Sequence, residues 1–190
     1  MANHARHAIL SEGPPFDRES GALRAVVETP KGSRNKYDYD PEFDCFNLAN
    51  VLPDGMFFPY YFGFVPSTLG EDGDPLDVLV LMDAPVIPGC VVQTRLIGAI
   101  EAQQKSKGEK WIENDRLLAV AVHAHSHDHV RSLGDLGPHL LREIKAFFVE
   151  YNQLRDRKFK PVRDGGPKEA LELVKAGMAA SRKTRPPPKH

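Results

Sequence analysis

An acidic turn runs straight into an apolar strand at residues 71–81, Glu-Asp-Gly-Asp-Pro-Leu-Asp-Val-Leu-Val-Leu. Three carboxylates, Asp72, Asp74 and Asp77, fall within six residues, and the apolar run Val78 to Met82 follows at once. Like charges at this spacing repel unless water or cations screen them. The apolar run ties them to a buried strand, so the cluster cannot drift into solvent. An unpaired Asp77 at the strand's mouth is therefore costly. Gly73 lets the backbone turn sharply, and Pro75 fixes φ where the turn feeds the strand. A solvated Asp-Gly turn is one reading. A site for a hard divalent cation, Mg²⁺ or Mn²⁺, is the other. An EF-hand loop is excluded, because counting from Asp72 puts Asp77 where that loop needs Gly and Asp83 where it needs Glu.

Around this turn the chain reads as short strands cut by Gly and Pro. Ala22–Glu28, Lys36–Asp40, Phe43–Leu48, Val78–Met82, Val91–Ile100 and Leu117–Val122 are strand candidates, and Met56–Pro66 is an aromatic, buried stretch. That pattern favours a barrel or sandwich. The period then changes: Leu140, Ile144, Phe147, Tyr151 and Leu154 recur at steps of four and three, predicting a helix with one apolar face. A second helix starts at Gly166-Pro167, with Leu171, Val174 and Met178 as its buried stripe. Residues 1–21 are expected to form an extended arm, 22–181 one domain, and 182–190 a disordered basic tail.

The chain has 190 residues, 41% of them hydrophobic, which is enough for one core. Its net charge of −1 gives no basic field for nucleic acid. Cys45 and Cys90 are the two cysteines, so no disulfide framework is expected and a reducing, cytoplasmic setting is the default. No apolar run is long enough to span a membrane, and no signal-peptide pattern opens the chain.

The acidic string resembles the signature of the family I soluble inorganic pyrophosphatases. So do the segment Val27-Glu28-Thr29-Pro30-Lys31-Gly32-Ser33-Arg34-Asn35-Lys36-Tyr37-Asp38, the Phe58-Pro59 and Gly63 region, the turn Val86 to Val91, and Asn114 to Val120. The pieces fall in order and register from about Ala22 to Tyr151. The resemblance implies an α+β, mainly β fold: an OB-type five-stranded closed barrel with two C-terminal packing helices. It implies Mg²⁺-dependent hydrolysis of pyrophosphate to two phosphates and a homo-oligomer, hexameric in bacteria and dimeric in eukaryotes.

Pyrophosphate resists attack because its negative charge repels a nucleophile. Two metals about 3.5–4 Å apart can neutralise that charge and activate a water. Asp72, Asp74 and Asp77 would supply the nucleating ligands. By resemblance Asp74 is also the general base, and Glu28 is the carboxylate contributed by the first strand. A further metal contact falls to Asp115 or Asn114. The family usually reads Asp-x-Lys here, and a direct alignment gives Asn114 and Arg116 instead. Glu109 and Glu113 are candidates for the aspartate that the family has a few residues earlier. Lys36 and Arg116 are the phosphate binders, with Arg34 a weaker one. Tyr151 stands where the family has a phosphate-contacting tyrosine; a core tyrosine on the helix stripe is the alternative.

Four positions depart from the family: Asn50 for arginine, Phe58 and Phe62 for tyrosines, and Asn152 for lysine. A charge-assisted hydrogen bond is worth about 1.5–3 kcal/mol, so these losses call for replacements. Arg95, Lys105, Lys107 and Lys110 are the cations at hand. Alternatives are a weakly active or inactive protein that senses phosphate ligands, or a hydrolase of another diphosphate with Phe58 and Phe62 stacking a base. His123, His125, His127 and His129 alternate; they are read as a polar loop, with Zn²⁺ or Ni²⁺ binding as the alternative.

Overall fold

The computed structural model describes residues 9–184. In chain order it contains α1 (Ile9–Glu12), β1 (Leu23–Thr29), β2 (Asn35–Asp40), β3 (Cys45–Val51), β4 (Tyr61–Phe64) and β5 (Asp77–Leu81). There follow β6 (Val91–Ser106), β7 (Ile112–Glu113), β8 (Arg116–Ala121), a 3-10 turn (Leu133–Leu136), α2 (Pro138–Gln153), β9 (Arg157–Gly165) and α3 (Pro167–Thr184).

Five strands close a ring in the order β1-β4-β5-β8-β6, and β6 pairs back onto β1. This is the mainly β ring with C-terminal helices that the resemblance implied. Only the β5–β8 contact in the ring is parallel. The ring closes because β6 is 16 residues long and serves several partners in turn. Its first residues pair with β1, its middle with β8, and its end with β9. The bend falls at a bulge between Leu96 and Gly98. Gly98 has φ 153°, and a Cβ there would lie 2.5 Å from both the Gly165 carbonyl oxygen and Leu133 Cγ. Only glycine fits. The ring encloses an apolar core, with Val27, Leu79, Leu81, Ile97, Ile100 and Leu118 fully buried. β2 and β3 form a separate hairpin.

α2 starts with Pro138 at its first turn, and its buried face is Ile144, Phe148, Tyr151 and Asn152. The expected stripe is thus rotated: Phe148 rather than Phe147 is fully buried, and Leu154 lies half-exposed beyond the helix end. α3 begins at Pro167, as the Gly-Pro pair predicts. Its Ala170, Val174 and Gly177 face inward, while Leu171 and Met178 sit at the margin. α3 also props up the acidic loop. A Cβ on Gly177 would meet Leu76 Cδ1 at 2.8 Å, and Leu69 N–H donates to the Gly177 carbonyl at 3.0 Å. The helix runs through Arg182 and Lys183 to Thr184; the rest of the expected tail lies outside the described residues. In the expected arm, α1 is one helical turn, and its Ser11 carbonyl accepts from Ser67 N–H at 2.8 Å. Three strands have no sequence forecast: β4, which falls in the stretch read only as aromatic and buried, the short β7, and β9 with its run of charged residues.

Candidate active site

The acidic loop is a set of local turns. Gly70 N–H donates to the Asp74 carbonyl at 2.8 Å, and Asp74 N–H donates to Asp72 Oδ1 at 3.2 Å. Gly73 takes φ 90° between them. Thr68 Oγ1 accepts the Leu76 amide at 3.0 Å and donates to the Val65 carbonyl at 2.6 Å, pinning the loop to the end of β4. Asp77 then opens β5. Parallel pairing of β5 with β8 sets Val78 beside Leu117, which puts Asp77 beside Arg116 at the same rim of the ring.

A cavity of about 660 Å³ opens at this rim. Glu28, Asp72, Asp74 and Asp77 line it, together with Lys36, Arg116 and Tyr151. Arg116 is nearly buried and its Nη1 lies 2.7 Å from Asp77 Oδ2. The same nitrogen donates to Asn114 Oδ1 and to the Asp115 carbonyl at 2.9 Å. Its guanidinium sits 5.1 Å and 5.2 Å from the Phe148 and Phe159 ring centroids. Arg116 Nε is buried and finds no acceptor among the described residues. Lys36 Nζ contacts Asp38, stands 3.5 Å from Glu28 Oε2 and lies 4.9 Å from the Phe62 centroid. Glu28 Oε1 accepts the Tyr39 amide at 2.8 Å.

These acids are crowded in a poorly solvated place. Burial pushes the Glu28 carboxyl up to about 7, against the pull of Lys36 and the Tyr39 amide. Burial likewise pushes Asp77 up to about 6, with Arg116 and Lys36 opposing and Asp72 and Asp74 adding to the rise. Asp74 is raised by burial and then by its neighbours Asp72 and Asp38. Burial lowers the Lys36 ammonium, but Glu28 and Asp38 outweigh it and the net shift is upward. Among the described residues no three acidic, His or Cys groups are gathered into a ready cage, since Asp38 and Asp77 are turned onto Lys36 and Arg116. The donor set nevertheless fits a hard cation: all are oxygens, they share one cavity, and their mutual repulsion is what a cation relieves.

Several expectations need correcting. Asp115, in the link between β7 and β8, does not line the cavity; its Oδ1 accepts the Ala102 amide at 2.9 Å. Asn114 lines the cavity instead. Glu109 lines it too, whereas Glu113 is turned to Gln103. Arg34 is tied to the Leu52 carbonyl and Asp54, outside the cavity. None of Arg95, Lys105, Lys107 and Lys110 reaches it. The cations that do are Arg155 and Arg157, which follow α2 and begin β9. Arg155 Nη1 donates to the Tyr151 hydroxyl at 2.6 Å. The four-residue step from Tyr151 to Arg155 was the available sequence signal. Asp38 also lines the cavity, although no role was read for it. Phe58, 1% exposed, lies outside the cavity lining, while Phe62, 5% exposed, lines the cavity with Lys36 Nζ over its ring. They pack on each other, and Phe58 packs edge-on to Tyr151 at 5.6 Å.

The histidines follow β8 in a series of turns rather than one extended face. Asp83 organises that loop, accepting the His125 and Ser126 amides and lying 3.4 Å from His127 Nδ1. These hydrogen bonds, the Ser126 hydroxyl first, hold the Asp83 carboxyl well below the usual range.

The family described as inorganic pyrophosphatase matches residues 25–182. An inorganic pyrophosphatase of Thermus thermophilus is 38% identical over 90% of this chain and 97% of that protein. One from Geobacillus stearothermophilus is 40% identical over 82% of this chain and 92% of its own length. The crystal structure of inorganic pyrophosphatase from Thermus thermophilus superposes with a TM-score of 0.83 at 35% identity, covering 92% of this chain and 99% of that one. No helix among the described residues is long and apolar enough to cross a membrane.

Proposed function

Because the chain belongs to the inorganic pyrophosphatase family and is thereby an inorganic diphosphatase, we propose that its rim cavity hydrolyses pyrophosphate with Mg²⁺ and with Asp74 as general base. The observation that carries this reading is the meeting of Glu28, Asp72, Asp74 and Asp77 with Lys36 and Arg116 in one cavity. Asp72, Asp74 and Asp77 would hold the metal, with Glu28 close by and Asn114 as a neutral oxygen donor. Mg²⁺ in such a site neutralises phosphoryl oxygens and lowers the pKa of a bound water.

The remaining work falls to the chain's own side chains. Asp74 sits on the loop, lines the cavity and accepts the proton of the attacking water. Water's oxygen bonds one phosphorus, the bridging P–O bond breaks, and the leaving phosphate takes the electron pair. Arg116, packed against the Phe148 and Phe159 rings at the cavity wall, offers its guanidinium to a phosphoryl oxygen. Lys36 supplies a point charge. Arg155 and Arg157 restore the positive charge absent at Asn50 and Asn152, and Arg155 orients the Tyr151 hydroxyl. Phe62 replaces a hydroxyl with a ring against the Lys36 ammonium.

The test is phosphate release from pyrophosphate by purified protein, with Mg²⁺ and then with excess chelator. Rapid release abolished by chelation is expected. No release with Mg²⁺, Mn²⁺ or Zn²⁺ would overturn the reading and leave the phosphate-sensing alternative.

A further inference from the structure

The arm that precedes β1 reaches the acidic loop without taking part in the chemistry. One end of it is stitched to β1: Arg24 N–H donates to the Pro15 carbonyl at 2.8 Å, Phe16 bridges to Leu23, and Arg24 Nη2 lies 2.7 Å from Asp17 Oδ2. Pro14 and Pro15 fix φ at consecutive positions and Pro15 is buried, so the stretch leading back from this anchor is stiff. The other end, residues 11–13, meets Ser67. Ser67 N–H donates to the Ser11 carbonyl at 2.8 Å, and the Ser67 hydroxyl lies 3.0 Å from the Glu12 carbonyl oxygen and 2.9 Å from that of Gly13. Ser67 has φ 54°, a left-handed conformation that persists in a serine only where its surroundings enforce it.

Ser67 opens the loop that carries Asp72 and Asp74, and Ser11 lines the acidic cavity beside Asp72, Gly73 and Asp74. α3 supplies a second grip on the same loop through the Gly177 carbonyl, which accepts the Leu69 amide at 3.0 Å. These ties matter because the carboxylates of Asp72, Asp74 and Asp77 repel one another, and without a cation that repulsion favours an opened loop. A loop free to open must be ordered again whenever a cation binds, and that ordering is subtracted from the affinity.

We propose that residues 11–13 form a strap that holds the acidic loop in its cation-binding shape, with Ser67 as the positioning residue that fastens it. Ser67 itself does not line the cavity, so it acts through the loop. The consequence for Mg²⁺ rests on the reading of Asp72, Asp74 and Asp77 as metal ligands; the mechanical tie does not.

Two variants test this. Ser67→Gly accepts the left-handed backbone and removes the hydroxyl. Ser67→Asn tolerates the same backbone and keeps a donor for the two carbonyls. Hydrogen exchange in chelator compares the hydrogen-bonded amides of Leu69, Gly70, Asp74 and Leu76 with those of Leu117 to Val120, in the fully buried β8. Ser67→Gly should speed exchange in the loop by about fivefold or more and leave β8 within about twofold, and Ser67→Asn should restore most of the protection. Calorimetric titration of the metal-free protein with Mg²⁺, without substrate, should give a Kd raised about fivefold or more in Ser67→Gly and within about twofold of wild type in Ser67→Asn. Unchanged loop exchange, or equal acceleration in β8, would overturn the strap. Faster loop exchange with unchanged Mg²⁺ affinity would overturn its link to cation binding. A wild type that binds no Mg²⁺ would sink the metal reading, and the exchange comparison would still decide the strap.

Discussion

Replacing Arg116 by methionine isolates the electrostatic conflict at the rim. Arg116 Nη1 is 2.7 Å from Asp77, the two side chains are 5% and 23% exposed, and the guanidinium packs against Phe148 and Phe159, which are themselves in contact. Methionine keeps much of the volume and the contact with the rings, but leaves Asp77 without its partner. Breaking a buried pair from one side costs about 3–5 kcal/mol. At roughly 2–4 °C per kcal/mol for a domain of this size, the Tm in chelator should fall by roughly 6–20 °C at pH 8. The pH dependence gives a second check. The folded Asp77 carboxyl already sits at about 6, above its ordinary 3.8, because of burial and despite Arg116. A raised acid destabilises the fold only when ionised, so its penalty is absent well below pH 4 and grows as pH rises through the folded pKa. Removing Arg116 raises that pKa further. The gap between wild type and variant should therefore widen from pH 5 to pH 8. Adding Asp77→Asn to the variant should return more than half of the lost Tm at pH 8. Differential scanning fluorimetry measures all of this. A fall under 2 °C at pH 8, or equal falls at pH 5 and pH 8, would refute the reasoning.

Asp74→Asn should lower phosphate release by about 10²–10⁴-fold, the usual range for a general base, while leaving the metal-free Tm within a degree or two; near-full turnover would remove Asp74 from its role. Chelated wild-type protein should lose stability as pH rises from 5 to 8, since burial raises both Glu28, to about 7, and Asp77, to about 6, and their ionised forms are the destabilised ones. Mg²⁺ should flatten that slope, and thermal melts at four pH values with and without the ion would show whether it does. Arg155→Ala should raise the KM for pyrophosphate about tenfold or more, from the loss of one charge-assisted contact, and initial-rate kinetics that match the wild type would place Arg155 outside the site.

The acidic turn was legible because three aspartates on an apolar strand leave few physical options. Pro167 was legible as a helix start because proline lacks only a donor that the first turn does not use. Closure into a barrel was not readable from periodicity, which left barrel or sandwich open, and came from the resemblance alone; the strand order had no forecast. Sequence could not say which of Asn114 and Asp115 looks into the cavity, because both lie in the link between β7 and β8, where no strand alternation sets their faces. β9 escaped notice because Lys158, Lys160, Arg163 and Pro161 carry no strand pattern, although Phe159 is buried against the core. It is stabilised by pairing with the far half of β6, a contact no local pattern encodes. Arg155 and Arg157 were hidden for the same reason: they reach the cavity only because α2 ends and β9 begins beside it.

The parallel register of β5 and β8 has a consequence for how this chain is proofread. Asp77 and Arg116 meet only when Val78 lies beside Leu117. A slip of one residue would turn one of them to the opposite face of the sheet, and the acidic and basic halves of the rim would no longer share a chamber. Ligand capture therefore works as an inspection of assembly. An immobilised bisphosphonate with Mg²⁺ should retain only correctly threaded molecules, and the same ions in a refolding buffer should draw stragglers toward the native ring.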